Sequence, residues 1–156
     1  MTASVEDVRG LVDTNIVIYA YDRDDPAKHA VALELLERLS DRGGLVFSAQ
    51  VFNEFCSVMM RPKRAIRLAP DRLSILLREL EKAGEVVPIT PSMTFRALDA
   101  MPRHGLSFWD ALIWAVAAEN GVPVLSTEDF QHGRVIDGVR FINPFPITSP
   151  SSPRRP

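Results

Sequence analysis

The order of apolar runs along the chain predicts an α/β fold with a mostly parallel central sheet under helices on both faces. Two observations carry this. Short runs rich in Val, Leu, Ile and Phe (residues 11–13, 45–47, 86–89, 122–126 and 139–142) alternate with longer stretches of helical period. Most of the longer stretches also open on a capping residue or a proline and close on glycine. The 156 residues suit one domain with a sizeable core.

Leu11-Val12 runs into Asp13, and Thr14-Asn15 breaks the apolar pattern. The first strand is therefore expected to carry Asp13 at its last position, where open α/β sheets keep their binding crevices. Ile16 to Tyr21 reads as a short helix. Asp25 as N-cap and Pro26 at the first helical position open the next one, which runs through Leu39 and ends at Gly43-Gly44. Leu45-Val46-Phe47 is a short strand. Ser48 caps a helix from Ala49 to about Met60, stopped by Arg61-Pro62. Pro70-Asp71 starts an amphipathic helix through Leu73, Leu76, Leu77 and Leu80, closed by Gly84. Val86 to Ile89 is strand-like, and Pro88 marks it as an edge or irregular strand. Thr90-Pro91 begins a helix that ends before Pro102 or Gly105. Ser107 caps a helix from Phe108 to Asn120, with Gly121 just past its end. Val122 to Ser126 is a strand and Val139 to Ile142 a last short one. The Ser/Pro/Arg stretch from Thr148 to Pro156 reads as a disordered tail, which leaves residues 1–147 as the domain. There is no internal repeat.

Composition narrows the function classes. The chain is 46% hydrophobic and 24% charged, as in soluble globular proteins. A net charge of −2 gives no bulk basic footprint, so any nucleic-acid contact must be local. Cys56 is the only cysteine, which excludes an internal disulfide or a Cys-based zinc site and agrees with a cytoplasmic protein. Met1 to Val8 has no basic and apolar signal pattern, and no apolar run is long enough to cross a membrane.

Four acids carry the functional reading. Asp13 and Asp129 follow strands, Glu54 lies on the helix after the second strand, and Asp110 is in the first turn of the helix from Phe108. In a parallel sheet the strand carboxyl ends share one edge and the following helices begin there, so these acids are brought together. Each also has a bland reading. Asp13 suits a turn or N-cap. Glu54 borders a polar stripe, Gln50, Asn53 and Ser57, that a solvated helix face explains; it lies nearly two turns into its helix and is the loosest fit. Asp110 is the only polar side chain from Phe108 to Ala118, in a helix apolar all round. With Ser107 it also forms a capping box, and the positive helix end favours an anion there in either case. Asp129 and its neighbour Glu128 suit a solvated loop. Clustered carboxylates repel one another unless a cation neutralises them, and oxygen donors without sulfur or imidazole suit Mg2+ or Mn2+.

Other candidates are weaker. His29, His104 and His132 lack metal-ligand spacing. Cys56 sits among Phe52, Phe55 and Met59, as a core thiol would. There is no Gly-rich phosphate loop. Arg61, Lys63, Arg64 and Arg67 form the strongest basic cluster, which is more often a solvated loop than a phosphate-binding patch.

With these residues in hand, the sequence closely resembles PIN-domain ribonucleases of the VapC toxin type. The matching segments are Leu11 to Asn15, Ser48 to Phe55, Leu106 to Ile113 and Leu125 to Gly133, with Asn143-Pro144-Phe145 resembling one branch of the family. The resemblance runs from about Gly10 to Phe145. It implies a three-layer α/β/α fold and Mg2+- or Mn2+-dependent endoribonuclease activity, with a homodimer inhibited by a cognate VapB-type antitoxin. It places the metal-site acids on Asp13, Glu54, Asp110 and Asp129, supported by Asn15 and Thr127. Glu128 competes with Asp129 for the fourth place, and the motif register favours Asp129. The alternatives are a non-catalytic PIN-like adaptor that binds RNA or protein, and a DNA- or structure-specific nuclease of the same fold. A phosphate-sensing receiver domain fits less well, because the first strand supplies one acid rather than an adjacent pair and Val122 to Ser126 ends without a Lys.

Overall fold

A computed structural model describes residues 8–146. The expected tail, Thr148 to Pro156, lies outside the described residues. The elements in chain order are β1 (Gly10–Val12), α1 (Thr14–Tyr21), α2 (Pro26–Asp41), β2 (Leu45–Ser48), α3 (Ala49–Met59), α4 (Pro70–Ala83), β3 (Glu85–Val87), α5 (Pro91–His104), α6 (Phe108–Glu119), β4 (Val124–Ser126), β5 (Val135–Ile136) and β6 (Val139–Ile142). The strands form one sheet in the order β3-β2-β1-β4-β6-β5. All neighbours are parallel except β5 and β6. The helices flank this sheet as α/β/α layers. Among the described residues no helix is long and apolar enough to cross a membrane.

The strand sequences explain the layering. β1 and β2 are buried at every position, as expected for a parallel sheet covered on both faces. Phe47, Phe55, Trp114, Phe141 and Leu11 are among the largest fully buried side chains and tie sheet to helices. α1 packs on α2 and α3, and α5 packs on α6. Every residue of α6 from Ala111 to Ala117 is buried.

Several boundaries differ from the sequence expectation. β1 ends at Val12, and Asp13 is the N-cap of α1 rather than a strand residue. β3 is Glu85–Val87 and stops before Pro88, which cannot donate to a ladder; it is an edge strand, as expected. β4 begins at Val124, after Pro123. α5 continues past Pro102 to His104, because a proline this near the end of a helix interrupts only its last turn.

Gly105 then ends α5 with φ of +66°, its N–H bonded to the Met101 carbonyl at 2.9 Å. A Cβ there would meet nothing within 4 Å, so Gly105→Ala isolates the backbone penalty. The expected loss is about 1 kcal/mol in the free energy of urea unfolding.

β5, only two residues long, has no counterpart in the sequence pattern. It pairs with β6 through Ile136 and Val139, leaving Asp137-Gly138 as the hairpin loop. Both loop residues have positive φ, +46° and +79°, the geometry of a type I′ turn.

Candidate active site

The strand order reverses between β1 and β4, since β2 and β3 lie on one side of β1 and β6 and β5 on the other. Ligand crevices in open α/β sheets lie at such a switch point, outside the strand carboxyl ends. Asp13 leaves β1 at this place, and its N–H donates to the Ser126 carbonyl at the end of β4 (2.9 Å). Its Oδ1 accepts from the Thr14 N–H at 2.7 Å and its Oδ2 from the Thr127 hydroxyl at 2.8 Å. Burial pushes the Asp13 carboxyl up from 3.8 to about 6. The two hydrogen bonds oppose this, and the nearby charges of Asp129 and Glu54 add to it.

Asp13 thus fills both of its sequence readings at once, a cap and a crevice acid. Thr127 is fully buried and links two acids, because its hydroxyl also accepts from the Asp129 N–H at 3.2 Å. Asn15, in the first turn of α1, donates from Nδ2 to Asp129 Oδ2 at 3.1 Å. Partial burial raises the Asp129 carboxyl above the usual range, and the charges of Glu128, Asp110 and Glu54 push it the same way.

Glu54 reaches the crevice from α3. Its Oε2 accepts from the Thr14 hydroxyl at 3.0 Å and its Oε1 from Gln50 Nε2 at 2.6 Å. Gln50 corrects the solvated-stripe reading: Asn53 and Ser57 are exposed, but Gln50 is buried. Its Nε2 also lies 3.4 Å from the Trp109 carbonyl, so it bridges α3 to α6. The sequence signal was the four-residue spacing of Gln50 and Glu54, which places both on one helix face. Asp110 keeps half of the expected capping box: Ser107 Oγ accepts from the Asp110 N–H at 3.4 Å, while the Asp110 carboxylate accepts at 2.5 Å from the Ser107 hydroxyl in place of the Ser107 backbone N–H.

Asp13, Glu54, Asp110 and Asp129 together line one cavity of about 330 Å3. Thr14, Asn15, Gln50, Trp109 and Ile113 complete it, so no Lys, Arg or His lines it among the described residues. Each carboxylate is turned to a neighbouring donor. In this arrangement no three His, Cys, Asp or Glu side chains among the described residues are placed to hold one ion. The donor chemistry nonetheless fits a hard divalent cation: the carboxylate donors are all oxygens, two of the acids are raised, and no side-chain cation lines the cavity, Lys28 only partly offsetting the rise at Asp129.

A family model described as PIN domain matches residues 10–137. The chain belongs to the PIN domain family. No curated protein matches it. Solved structures do. A toxin-antitoxin complex from Klebsiella pneumoniae superposes with a TM-score of 0.64 at 19% identity, covering 88% of this chain and 99% of that one. DNA-bound VapBC from Salmonella typhimurium gives 0.60 at 18%, covering 86% and 96%. Mycobacterium tuberculosis VapC20, described as a Sarcin-Ricin loop cleaving toxin, gives 0.58 at 21%, covering 74% and 86%. At these identities the likeness is one of fold.

The remaining candidates of this PIN domain lie elsewhere. Glu128 turns away from the cavity, accepting from the Tyr19 hydroxyl at 2.9 Å and from Lys28 Nζ at 2.7 Å. Lys28 also sits 4.7 Å above the Tyr19 ring, and its pKa is held up chiefly by Glu128. Because that ion pair is partly exposed, Glu128→Gln is expected to lower unfolding stability by less than ~1 kcal/mol. Because Glu128 acts on the cavity only through its charge on Asp129, the same variant should weaken Mn2+ binding far less than Asp129→Asn does, which calorimetric titration checks. Of the basic cluster, Arg64 pairs with Asp22 and Arg67 Nε bonds the Met60 carbonyl at 3.1 Å. Arg61, Lys63 and Arg67 are exposed, and none of the four lines the cavity. His29 Nδ1 bonds the Tyr19 carbonyl, and His132 Nδ1 accepts from the Asn143 N–H.

Proposed function

We propose that this PIN domain is a Mg2+- or Mn2+-dependent endoribonuclease, the toxin of a type II toxin–antitoxin pair. The observation that carries the proposal is the convergence of four carboxylates from four separate places in the chain on one cavity without a side-chain cation. The structural neighbours support it, being toxin-antitoxin complexes and a toxin described as cleaving the Sarcin-Ricin loop.

In this reading Asp13, Glu54, Asp110 and Asp129 hold the cation. When bound, the cation supplies positive charge to the phosphoryl oxygens and lowers the pKa of water. The chain's own residues do the rest. Thr127 and the Thr14 N–H fix both oxygens of Asp13. Thr14 and Gln50 fix Glu54. Asn15 holds Asp129, which positions the attacking water. Exposed Arg61, Lys63 and Arg67 are available to RNA phosphates. The same excess of negative charge would welcome a basic side chain from a VapB-type antitoxin. A homodimer and a cytoplasmic setting complete the proposal.

The test is incubation of the purified, antitoxin-free protein with total bacterial RNA. Discrete fragments are expected with Mg2+ or Mn2+ and none with chelator. A folded protein that binds the cation yet cuts only DNA, or nothing, would favour the DNA-nuclease or adaptor reading.

A further inference from the structure

We infer that Trp109 is a stacking platform for a nucleobase of the RNA strand whose phosphate enters the acidic cavity. This rests on the nuclease reading of that cavity and adds the feature that would hold the strand beside it. Trp109 is 59% exposed, although the helix it belongs to is buried from Ala111 to Ala117. An indole left this open forgoes much of the free energy that burial would bring. It adjoins Asp110 in the chain and lines the same cavity as the four carboxylates. Its backbone carbonyl lies 3.4 Å from Gln50 Nε2, which ties this turn to α3, and the Phe108 ring meets the indole edge-on with centroids 5.2 Å apart.

Charge explains why such a platform is needed. The cavity walls carry no cationic side chain to hold an RNA phosphate, the net charge of −2 gives no long-range attraction, and the exposed Arg61, Lys63 and Arg67 lie outside the cavity. Stacking on an aromatic face does not depend on phosphate charge and accepts any base. A base can reach the indole only if it is unstacked from its neighbours, as in single strands and loops. The geometry therefore selects RNA with an unpaired nucleotide next to the phosphate in the cavity.

Indole emission gives the first test, since the chain has two tryptophans and the other, Trp114, is 1% exposed. With Ca2+ in place of Mg2+, a short oligoadenylate is expected to quench the wild-type emission saturably. Trp109→Phe, which keeps only Trp114, should show no such change. No saturable quench in the wild type, or the same quench in Trp109→Phe, overturns the inference. On a mapped RNA substrate, Trp109→Ala is expected to raise KM roughly 5- to 150-fold with kcat unchanged, the equivalent of one lost stack. Trp109→Phe should recover most of the loss. Unchanged KM in Trp109→Ala, or loss of its Mn2+ binding, counts against the platform. A wild type that cuts no RNA defeats the nuclease reading alone, and the emission titration then decides the platform by itself.

Discussion

Asp13→Asn is expected to abolish RNA cleavage and, in the presence of chelator at pH 7, to make the fold more stable. The loss of activity should be at least ~100-fold, because removing a ligand outright exceeds the 10- to 100-fold typical of its supporting contacts. The gain in stability follows from burial. In the folded protein the Asp13 carboxyl titrates at about 6 instead of 3.8. The folded state therefore binds this proton more tightly than the unfolded chain does. The contribution of Asp13 to stability is most favourable below pH ~4, declines as pH rises to about 6, and is lowest above that. The cost at neutral pH is about 3 kcal/mol. Asn has no such proton to lose, and its amide still offers an oxygen to the Thr14 N–H. Thr127 Oγ can turn to accept from the new NH2 group. Thermal unfolding in chelator across pH 4–8 checks this: the variant's advantage should grow with pH. A variant that is less stable than the wild type at every pH, or that still cleaves, contradicts the assignment of Asp13.

Trp114→Ala should have the largest effect on stability alone. Trp114 is 1% exposed on α6, and its Nε1–H donates to the Ile136 carbonyl at 3.1 Å. The Arg96 guanidinium lies 5.1 Å from its ring, and the His104 ring packs beside it. Truncation opens a cavity in the core and leaves the Ile136 carbonyl without this donor. Core Trp→Ala changes cost ~3–5 kcal/mol. That is a large share of the ~5–15 kcal/mol of a typical domain. The midpoint of thermal unfolding should fall by roughly 6–20 °C. Trp114→Phe restores most of the volume but not the hydrogen bond, so a smaller loss of about 1–3 kcal/mol remains. An Ala variant within about 1 kcal/mol of the wild type would mean that α6 does not anchor the β5–β6 hairpin as described.

Much of this was legible in the sequence because the strands are short and the helices are capped. Asp25-Pro26, Ser48, Pro70 and Ser107 mark helix starts within a residue of where they occur. The acids were legible as a set, since parallel topology sends strand ends and following helices to one edge. What was hidden depends on partners far along the chain. Glu128 and Asp129 are neighbours with equal local claims; Lys28 and Tyr19, about a hundred residues away, turn Glu128 outward. Arg64 looked like part of a cationic patch until Asp22 engaged it. Gln50 looked solvated because a helical period records which face a residue is on, not whether another helix covers that face. β5 is too short for any periodicity, and only its Asp137-Gly138 turn could have announced it.

Calorimetric titration of Mn2+ at pH 6 and pH 8 decides whether the four carboxylates form one divalent-cation site. Saturable binding by the wild type is expected, with more protons released at pH 6, where Asp13 is about half protonated, than at pH 8. Asp13→Asn and Asp129→Asn should each weaken that binding strongly. Binding that survives both substitutions unchanged, or a folded wild type that binds no Mn2+ at either pH, would contradict such a site.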